Sequence, residues 1–520
     1  MLKRTLIGVG LLVGSWSAQA QETLLLREPT IFQDQIVFVY ANDLWSVSRD
    51  GGQAVRLTTN DGGERVPHFS PDGKHIAFSG QYDGNTDVFV MPATGGQPKR
   101  LTYHPGTERV TGWTPDGQVL FTSSRSGMPT AEEQFFKVPI TGGTPEPLPI
   151  PRANNGQMSA DGKYVAFQQT GFWDPEWRNY RGGQAKPIWV VNLRDYSLQK
   201  TTQADNERHT DPIWHLGKVY YLSERDYANN IWVFDPATGQ DTQVTFHTDF
   251  DVKSLDAGPG GLVYEQGGRI HLLDVATRET KPLKIEVKGD FFWARKRYED
   301  VSGGSLSNPN VSPTGKRAVF EYRGEIFTVP REHGTWRNLT QNSGVAERYP
   351  VWSPKGDQLA WFSDASGEYA LVIADQEGQV QKTITHKDPS FFFHPEWSPD
   401  GKYLAFTDTD YNMHMVEVAT GKATLVATDR YAHPNRTFNP VWSPDSRYIA
   451  FAQLVDTQYK VIKAYEVATG KTLQLTDGMA DCLTPAWDAS GKYLYILAST
   501  DYGLNTGWLD MSAFNMPGID

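Results

Sequence analysis

Apolar positions in this chain fall in short runs fenced by turn-forming residues, and the arrangement repeats. Phe393-His-Pro-Glu-Trp-Ser-Pro-Asp-Gly-Lys-Tyr-Leu-Ala-Phe406 is one full copy. Tyr403 to Phe406 is apolar, β-prone and too brief for a helix, which predicts a buried strand. Ser398 to Gly401 has the residues of a type I turn, with Pro399 pre-set at the second position and Gly at the fourth. Trp397, just before the turn, can cap the hydrophobic layer the strand joins.

Aligning the copies on the residue before the turn gives Phe32, Phe69, Trp113, Met158, Trp214, Leu255, Val311, Trp352, Trp397, Trp442 and Trp487. The copies at Phe32 and Leu255 are degenerate. Neighbours lie 37 to 56 residues apart, four of the intervals being 45. That period, with turns and short strands in each unit, is the signature of propeller blades. Helix-pair solenoids share the period but need long stretches of helical apolar spacing, which these units lack. Aromatic strands such as Asp87 to Met91 and Ile231 to Phe234 run into hairpins at Gly95, Gly239, Gly421 and Gly470, where Gly supplies positive φ. Leu-Thr or Val-Thr pairs follow at Leu57, Leu101, Val244, Leu339 and Leu475. Each unit thus offers about four strands, one blade.

The fold class predicted is all-β, two tandem β-propellers. Six units occupy residues 22–283 and can close a ring. Residues 284–306 break the rhythm and are assigned as a linker. Five units fill 307–520, and the last residues read as a strand entering another turn, so the second ring is expected to be incomplete. Within the fourth unit, the insertion from Gly171 to Gly183 carries Arg178, Tyr180 and Arg181. It forms either a loop at a pore or domain interface, or a surface excursion between two strands.

Residues 1–20 lie outside the fold. Lys3 and Arg4 precede an apolar run, and Ala18-Gln-Ala20 is a small-residue cleavage site, together a secretory signal peptide cut between Ala20 and Gln21. No run reaches the length of a membrane span, so export to the periplasm without a membrane anchor is expected. With Cys482 alone, the chain can form no internal disulfide and is held by its core. The net charge of −12 argues against nucleic acid or anionic membranes as partners.

Candidate chemistry is sparse. There is no Gly-x-Ser-x-Gly elbow and no His-Glu-x-x-His site. Val467 to Thr472 resembles the end of a phosphate loop but lacks its first Gly, and the same hairpin recurs elsewhere. Asp408-Thr-Asp-Tyr-Asn412 has the alternating oxygens of a calcium loop, yet Met413 and Ala419 stand where Gly and Glu are needed. His394 and His433 precede Pro in blade-entry segments, which favours a structural role. No catalytic residue, metal site or cofactor is assigned.

Several stretches resemble the amino-terminal half of the bacterial tricorn proteases, with TolB-like blades: Leu26 to Ile31, Phe38 to Trp45, Gly80 to Asp87, Tyr180 to Gly183, Gly324 to Pro330 and Ser499 to Met511. The resemblance implies a seven-bladed second propeller. It also implies that a PDZ-like domain and a serine-protease domain lie beyond residue 520, and that the full-length protein assembles as a homo-oligomer, a hexamer in the family. The propellers would then gate peptides or unfolded polypeptide into the peptidase, Arg109, Arg178, Tyr180 and Arg181 lining the substrate channel. Arg109 corresponds to the region in which archaeal relatives hold a substrate's carboxyl terminus; an exposed structural arginine is the competing reading. Two alternatives stand beside this: a non-enzymatic TolB-like scaffold for protein–protein interaction, and a propeller partnered with an α/β-hydrolase. On the first reading this chain alone turns over no peptide. Mass spectrometry of the exported chain is expected to find the mature amino terminus at Gln21; a terminus elsewhere overturns the cleavage assignment.

Overall fold

The computed structural model describes residues 23–126, 132–171, 180–183, 185–291, 295, 297, 298, 300, 301, 306–342, 344–429, 438–457 and 459–500. Ala20, Gln21, Arg178 and His433 lie outside them. The chain divides into two compact units, the first ending at Arg295. Both are all-β, and the sheets are the blades anticipated by the repeat: six in the first unit, five in the second.

In the first unit the innermost strands of blades 1 to 6 are Arg27–Phe32, Gly63–Phe69, Glu108–Trp113, Asn155–Met158, His209–His215 and Val252–Gly258. Each opens an antiparallel four-stranded meander. Neighbouring innermost strands pack in succession, and that of blade 6 packs on that of blade 1, which closes the ring. A strap fastens the closure: Ile285–Val287 pairs in parallel with Gly52–Arg56 as a fifth strand on blade 1. Gly51 is required there, at φ 85, because a Cβ would sit 2.5 Å from the Lys284 carbonyl oxygen. In the second unit, blades 7 to 10 are four-stranded and blade 11 contributes Asp481–Trp487 and Leu494–Ser499. Its end blades keep apolar side chains exposed, Val311 and Trp336 on blade 7, Tyr495 and Leu497 on blade 11.

The core lies between blades. Ala77, Val88 and Val90 of blade 2 interleave with Val110, Phe121 and Phe136 of blade 3. Truncating a buried ring such as Phe121 costs about 3–5 kcal/mol. The repeated residues now have physical roles. In Ser-Pro-Asp-Gly, the Ser398 hydroxyl accepts the Tyr403 amide (2.9 Å) and donates to Asp400 (2.7 Å), while Gly401, at φ 74, donates its amide to the Ser398 carbonyl. The Tyr after the turn packs on the next blade's Trp: Tyr164 on Trp214, Tyr403 on Trp442, Tyr448 on Trp487. The Thr of each Leu-Thr pair turns back on its own blade, its hydroxyl accepting the amide that opens the third strand's apolar run. Thr58 does so from Leu44, Thr102 from Val88, Thr245 from Ile231 and Thr340 from Ile326, at 2.9 to 3.2 Å.

Strand pairing refines two anchors. Blades 1 and 6 turn between their first strands in two residues, so Ile31 and Ala257, paired with Ile36 and Leu262, stand level with Phe69 and Trp113. Phe32 and Leu255 lie off that level.

The Thr245 hydroxyl also donates to Asn230 (2.9 Å), so its removal strands the buried Ile231 amide and takes one of two donors from the Asn230 oxygen, which keeps the His247 amide. Thr245→Val is expected to lower the unfolding free energy by about 1–3 kcal/mol, read as a lower urea midpoint at unchanged slope. An unchanged midpoint would remove the pairing role of these threonines.

Candidate functional site: the axial well of the first unit

An innermost strand with regular pleat would present alternate residues to the axis, but here the strands carry an irregularity. In blades 1, 2 and 5 three residues span what two span on the neighbouring strand, as between Arg65/His68 and Ser79/Ala77. The residue before proline in each bulge has positive φ: Glu28 (47°), Val66 (47°) and Asp211 (52°). A β-branched residue such as Val66 adopts that conformation only under constraint, at a cost of about 1–3 kcal/mol. The second unit repeats the device at Asn308, Tyr349, His394 and Thr484, each before proline. His394 therefore has a bulge position, its ring 5.3 Å from that of Tyr349.

The six strands surround a well of about 680 Å³. Arg27, Arg65 and Arg109 pair with Val39, Ser79 and Thr122, so they share one level of blades 1, 2 and 3. Arg208 and Lys253 also line the well. Its five cations face five acids, yet the acids are engaged. Glu28 takes Arg65 (2.9 Å) and the Val66 amide (2.7 Å); Glu265 takes the Glu28 amide and the Ser254 hydroxyl. Asp211 takes the Asn155 amide group, Asp251 the Asn229 backbone amide, and Asp256 both His68 and Gln157. Arg27, Arg109 and Lys253 are exposed, and their side chains make no ion pair among the described residues. The free binding capacity of the well is therefore cationic, although its formal charges balance.

Arg109 thus lies in the lining. Tyr180 is buried rather than open to the well. Arg181 is half-buried and bonds Glu224 (3.2 Å), which Arg208 also approaches (3.4 Å), one ion pair removed from the lining. Arg27, Arg65, Arg208 and Lys253 were not singled out from sequence. The signal for Arg65 and Arg109 was there, since both stand four residues ahead of the pre-turn aromatic.

Groups that imitate catalytic sites resolve into structure. Thr201 bonds His209 Nδ1 (2.7 Å) and His209 Nε2 faces Glu207 (3.3 Å), but all three are buried and the Thr201 hydroxyl accepts the Ile188 amide. Burial pulls the His209 pKa down, against the Glu207 hydrogen bond. Asp408 is engaged by the amides of Asp410 and Asn412, by the Asn412 side chain and by His414 Nε2 (2.7 Å), which leaves no calcium loop. Among the described residues no cluster of His, Cys, Asp or Glu could hold a metal. The second unit has a smaller well of about 330 Å³, lined by prolines 309, 350, 395 and 440 with Tyr349 and His394. Its one acid, Glu396, is exposed to the well, and the protein packed around it raises its carboxyl by partial desolvation.

Glu64 is buried between blades, accepting from Tyr82 (2.6 Å) and Thr58 (2.9 Å). Desolvation raises it from 4.5 to about 7, against those two bonds. A raised carboxyl invites a general-acid reading, but Glu64 has no exposed surface, so its cost is one of stability. Below about pH 4.5 it is protonated folded and unfolded. As pH rises towards 7 the unfolded chain ionises first, and stability falls; above 7 the penalty is constant. Glu64→Gln is expected to raise the melting temperature at pH 8, by an amount on the order of a few kcal/mol in stability, and to lose that advantage by pH 4.5. An equal effect at both pH values would remove Glu64 as the source.

Comparison with known proteins agrees with this architecture. Residues 23–279 match the tricorn protease N-terminal beta propeller domain, and 306–515 match the tricorn protease second beta propeller domain. A putative tricorn protease homolog 2 of Streptomyces coelicolor is 29% identical over 366 residues, 67% of this chain and 30% of that protein. A putative Tricorn-like protease N-terminal subunit of Sulfurisphaera tokodaii is 31% identical over 160 residues, 30% of this chain and 80% of that one. The crystal structure of the tricorn protease superposes with a TM-score of 0.57 at 22% identity, covering 91% of this chain and 46% of that one. The chain spans about a third of the length of the first curated relatives it matches. With six blades, then five, and both family models matched in order, the chain belongs to the tricorn protease family.

Proposed function

We propose that this chain is the substrate-gating propeller region of an exported, periplasmic tricorn-like serine peptidase that degrades oligopeptides, with the catalytic domain beyond residue 520 of a longer polypeptide. In that reading the chain alone is inactive, and the full-length protein is a homo-oligomer. The observation that carries it is the well of the first unit: a narrow axial space whose unengaged groups are Arg27, Arg109 and Lys253. A space of this size accepts an extended peptide and excludes a folded domain, and free guanidinium groups suit a carboxylate. Family membership supplies the prior for peptides as substrate. No helix of the described residues is long and apolar enough to cross a membrane.

A second reading, a scaffold for protein contacts, is favoured by one observation: Leu25, Tyr227, Phe246 and Phe250 are more than half exposed on the first unit. Fluorescence anisotropy with short peptides separates the two. A free carboxyl terminus is expected to bind about tenfold more tightly than its amide, and Arg109→Ala to abolish that preference without changing the melting temperature. Equal binding of both peptides, or none, would favour the scaffold.

A further inference from the structure

Below the arginine level, the six innermost strands present one further ring of residues. Thr30, His68, Gly112, Gln157, Ile213 and Asp256 pair with Val37, Ala77, Leu120, Ala166, Tyr220 and Val263, which sets all six at the same height in blades 1 to 6. The long polar members come from alternate blades 2, 4 and 6. Asp256 Oδ2 lies 3.1 Å from His68 Nδ1, and its Oδ1 accepts from Gln157 Nε2 at 3.2 Å. Each bond skips the blade in between, so the carboxylate bridges across the axis. Only 9% of the Asp256 side chain and 16% of that of His68 are exposed. A carboxylate in an open, water-filled bore would be far more accessible.

The bridge is held from behind. Trp113 Nε1 donates to the His68 carbonyl (2.9 Å), and the Trp214 amide donates to Gln157 Oε1 (3.3 Å), which leaves the Gln157 amino group for Asp256. Burial tends to raise the Asp256 pKa. Its contact with His68 and the bonds from His68, Thr30 and Gln157 outweigh it and hold the carboxyl below its usual range. Asp256 is thus ionised and fully engaged at neutral pH.

We propose that Asp256, His68 and Gln157 form a latch that closes the axial passage of the first ring, so that the well is blind as it stands and the passage opens only when Asp256 lets go. The inference rests on the proposed function only for the nature of what would pass. With the latch shut, the well admits a chain end from the arginine side and stops it at the three-blade bridge.

The latch is tested first without any substrate. The chain's one cysteine, Cys482, is buried, so introduced thiols can be addressed selectively. A His68→Cys/Asp256→Cys variant is expected to be cross-linked within one chain by a short bifunctional thiol reagent that fluoresces only when both arms have reacted, whereas His68→Cys alone should not fluoresce. A double variant that melts like wild type and fails to cross-link overturns the latch. Passage is then read by trapping. A peptide of about a dozen residues, roughly 40 Å when extended, carries a bulky dye at one end and a thiol that is capped with a second bulky group after mixing. The His68→Ala/Asp256→Ala variant removes both members of the ion pair, so neither is left buried without the other, and the Gln157 amino group is left facing the opened passage. It should retain capped peptide through washing, and wild type should not. Retention by wild type equal to that of the opened variant means that the ring is not shut and overturns the proposal. Cross-linking together with no retention by either chain supports the latch and counts instead against peptides as the transiting species.

Discussion

The structure depends on the innermost strand of most blades leaving its regular pleat before it reaches the axis. The residue before proline enters the left-handed region, the strand gains one residue over its neighbour, and the register then resumes. Glu28, Val66 and Asp211 carry this in the first unit, and four residues repeat it in the second. Proline suits the position because the bulge leaves it unpaired in the ladder, where a missing N–H costs nothing. Blade 3 reaches the same end differently, with Gly112 at positive φ and Thr111 as the extra residue. Blade 4 pairs without a bulge and blade 6 shifts only at Lys253. In the first unit the strained residues are clamped to neighbouring blades: Glu28 of blade 1 bonds the Val66 amide of blade 2, and Asp211 of blade 5 bonds Asn155 of blade 4.

Charge is sorted by the same geometry. Between blades, ionisable groups are engaged with one another: Asp43 with Arg56, Asp87 with Arg100, Glu207 with Arg225 and His209. Arg225 also lies 4.2 Å from the centre of the Trp232 ring. Such groups cost stability if one partner is removed and offer no access to a ligand. At the axis the acids are engaged by hydrogen bonds, while Arg27, Arg109 and Lys253 make no ion pair among the described residues. A carboxylate entering the well therefore meets donors that need not first give up a protein partner.

The blade count was legible because most copies carry several of a set of independent marks. Ser at the turn, Trp before it, Tyr after it and Thr after the outer strand each answer a separate hydrogen-bonding or stacking need, so one lost mark leaves the others. The arginine level was partly hidden. Arg65 and Arg109 keep an offset of four from Phe69 and Trp113, but in blade 1 the two-residue hairpin moves the equivalent level to Ile31 and lets Phe32 pose as the anchor. Arg181 drew notice because it sits in an insertion, yet the fold gives it to Glu224. The bridge from Asp256 to His68 and Gln157 had no local signal. These residues are 188 and 99 positions apart, and only ring closure brings them to one height.

That closure links the far ends of the first unit to its centre. Blade 6 must seat on blade 1 before Asp256 can face His68, and the seat is made by Leu26, Ile31 and Trp45 against Val263, Ile270 and Leu283. The strap Ile285–Val287 also takes part: the Ile285 carbonyl accepts the Thr23 amide, and the Thr23 hydroxyl accepts the Val287 amide. Loosening the strap would let blade 6 shift on blade 1, and the shortest path from that shift to the axis runs along Val252–Gly258, the strand that carries Asp256. Each of the other blades meets its successor through an interleaved core, so the seam between blades 6 and 1, where the chain leaves blade 6 at Pro282 and crosses directly to the strap at Ile285, is the joint on which ring closure, and with it the height of Asp256, depends.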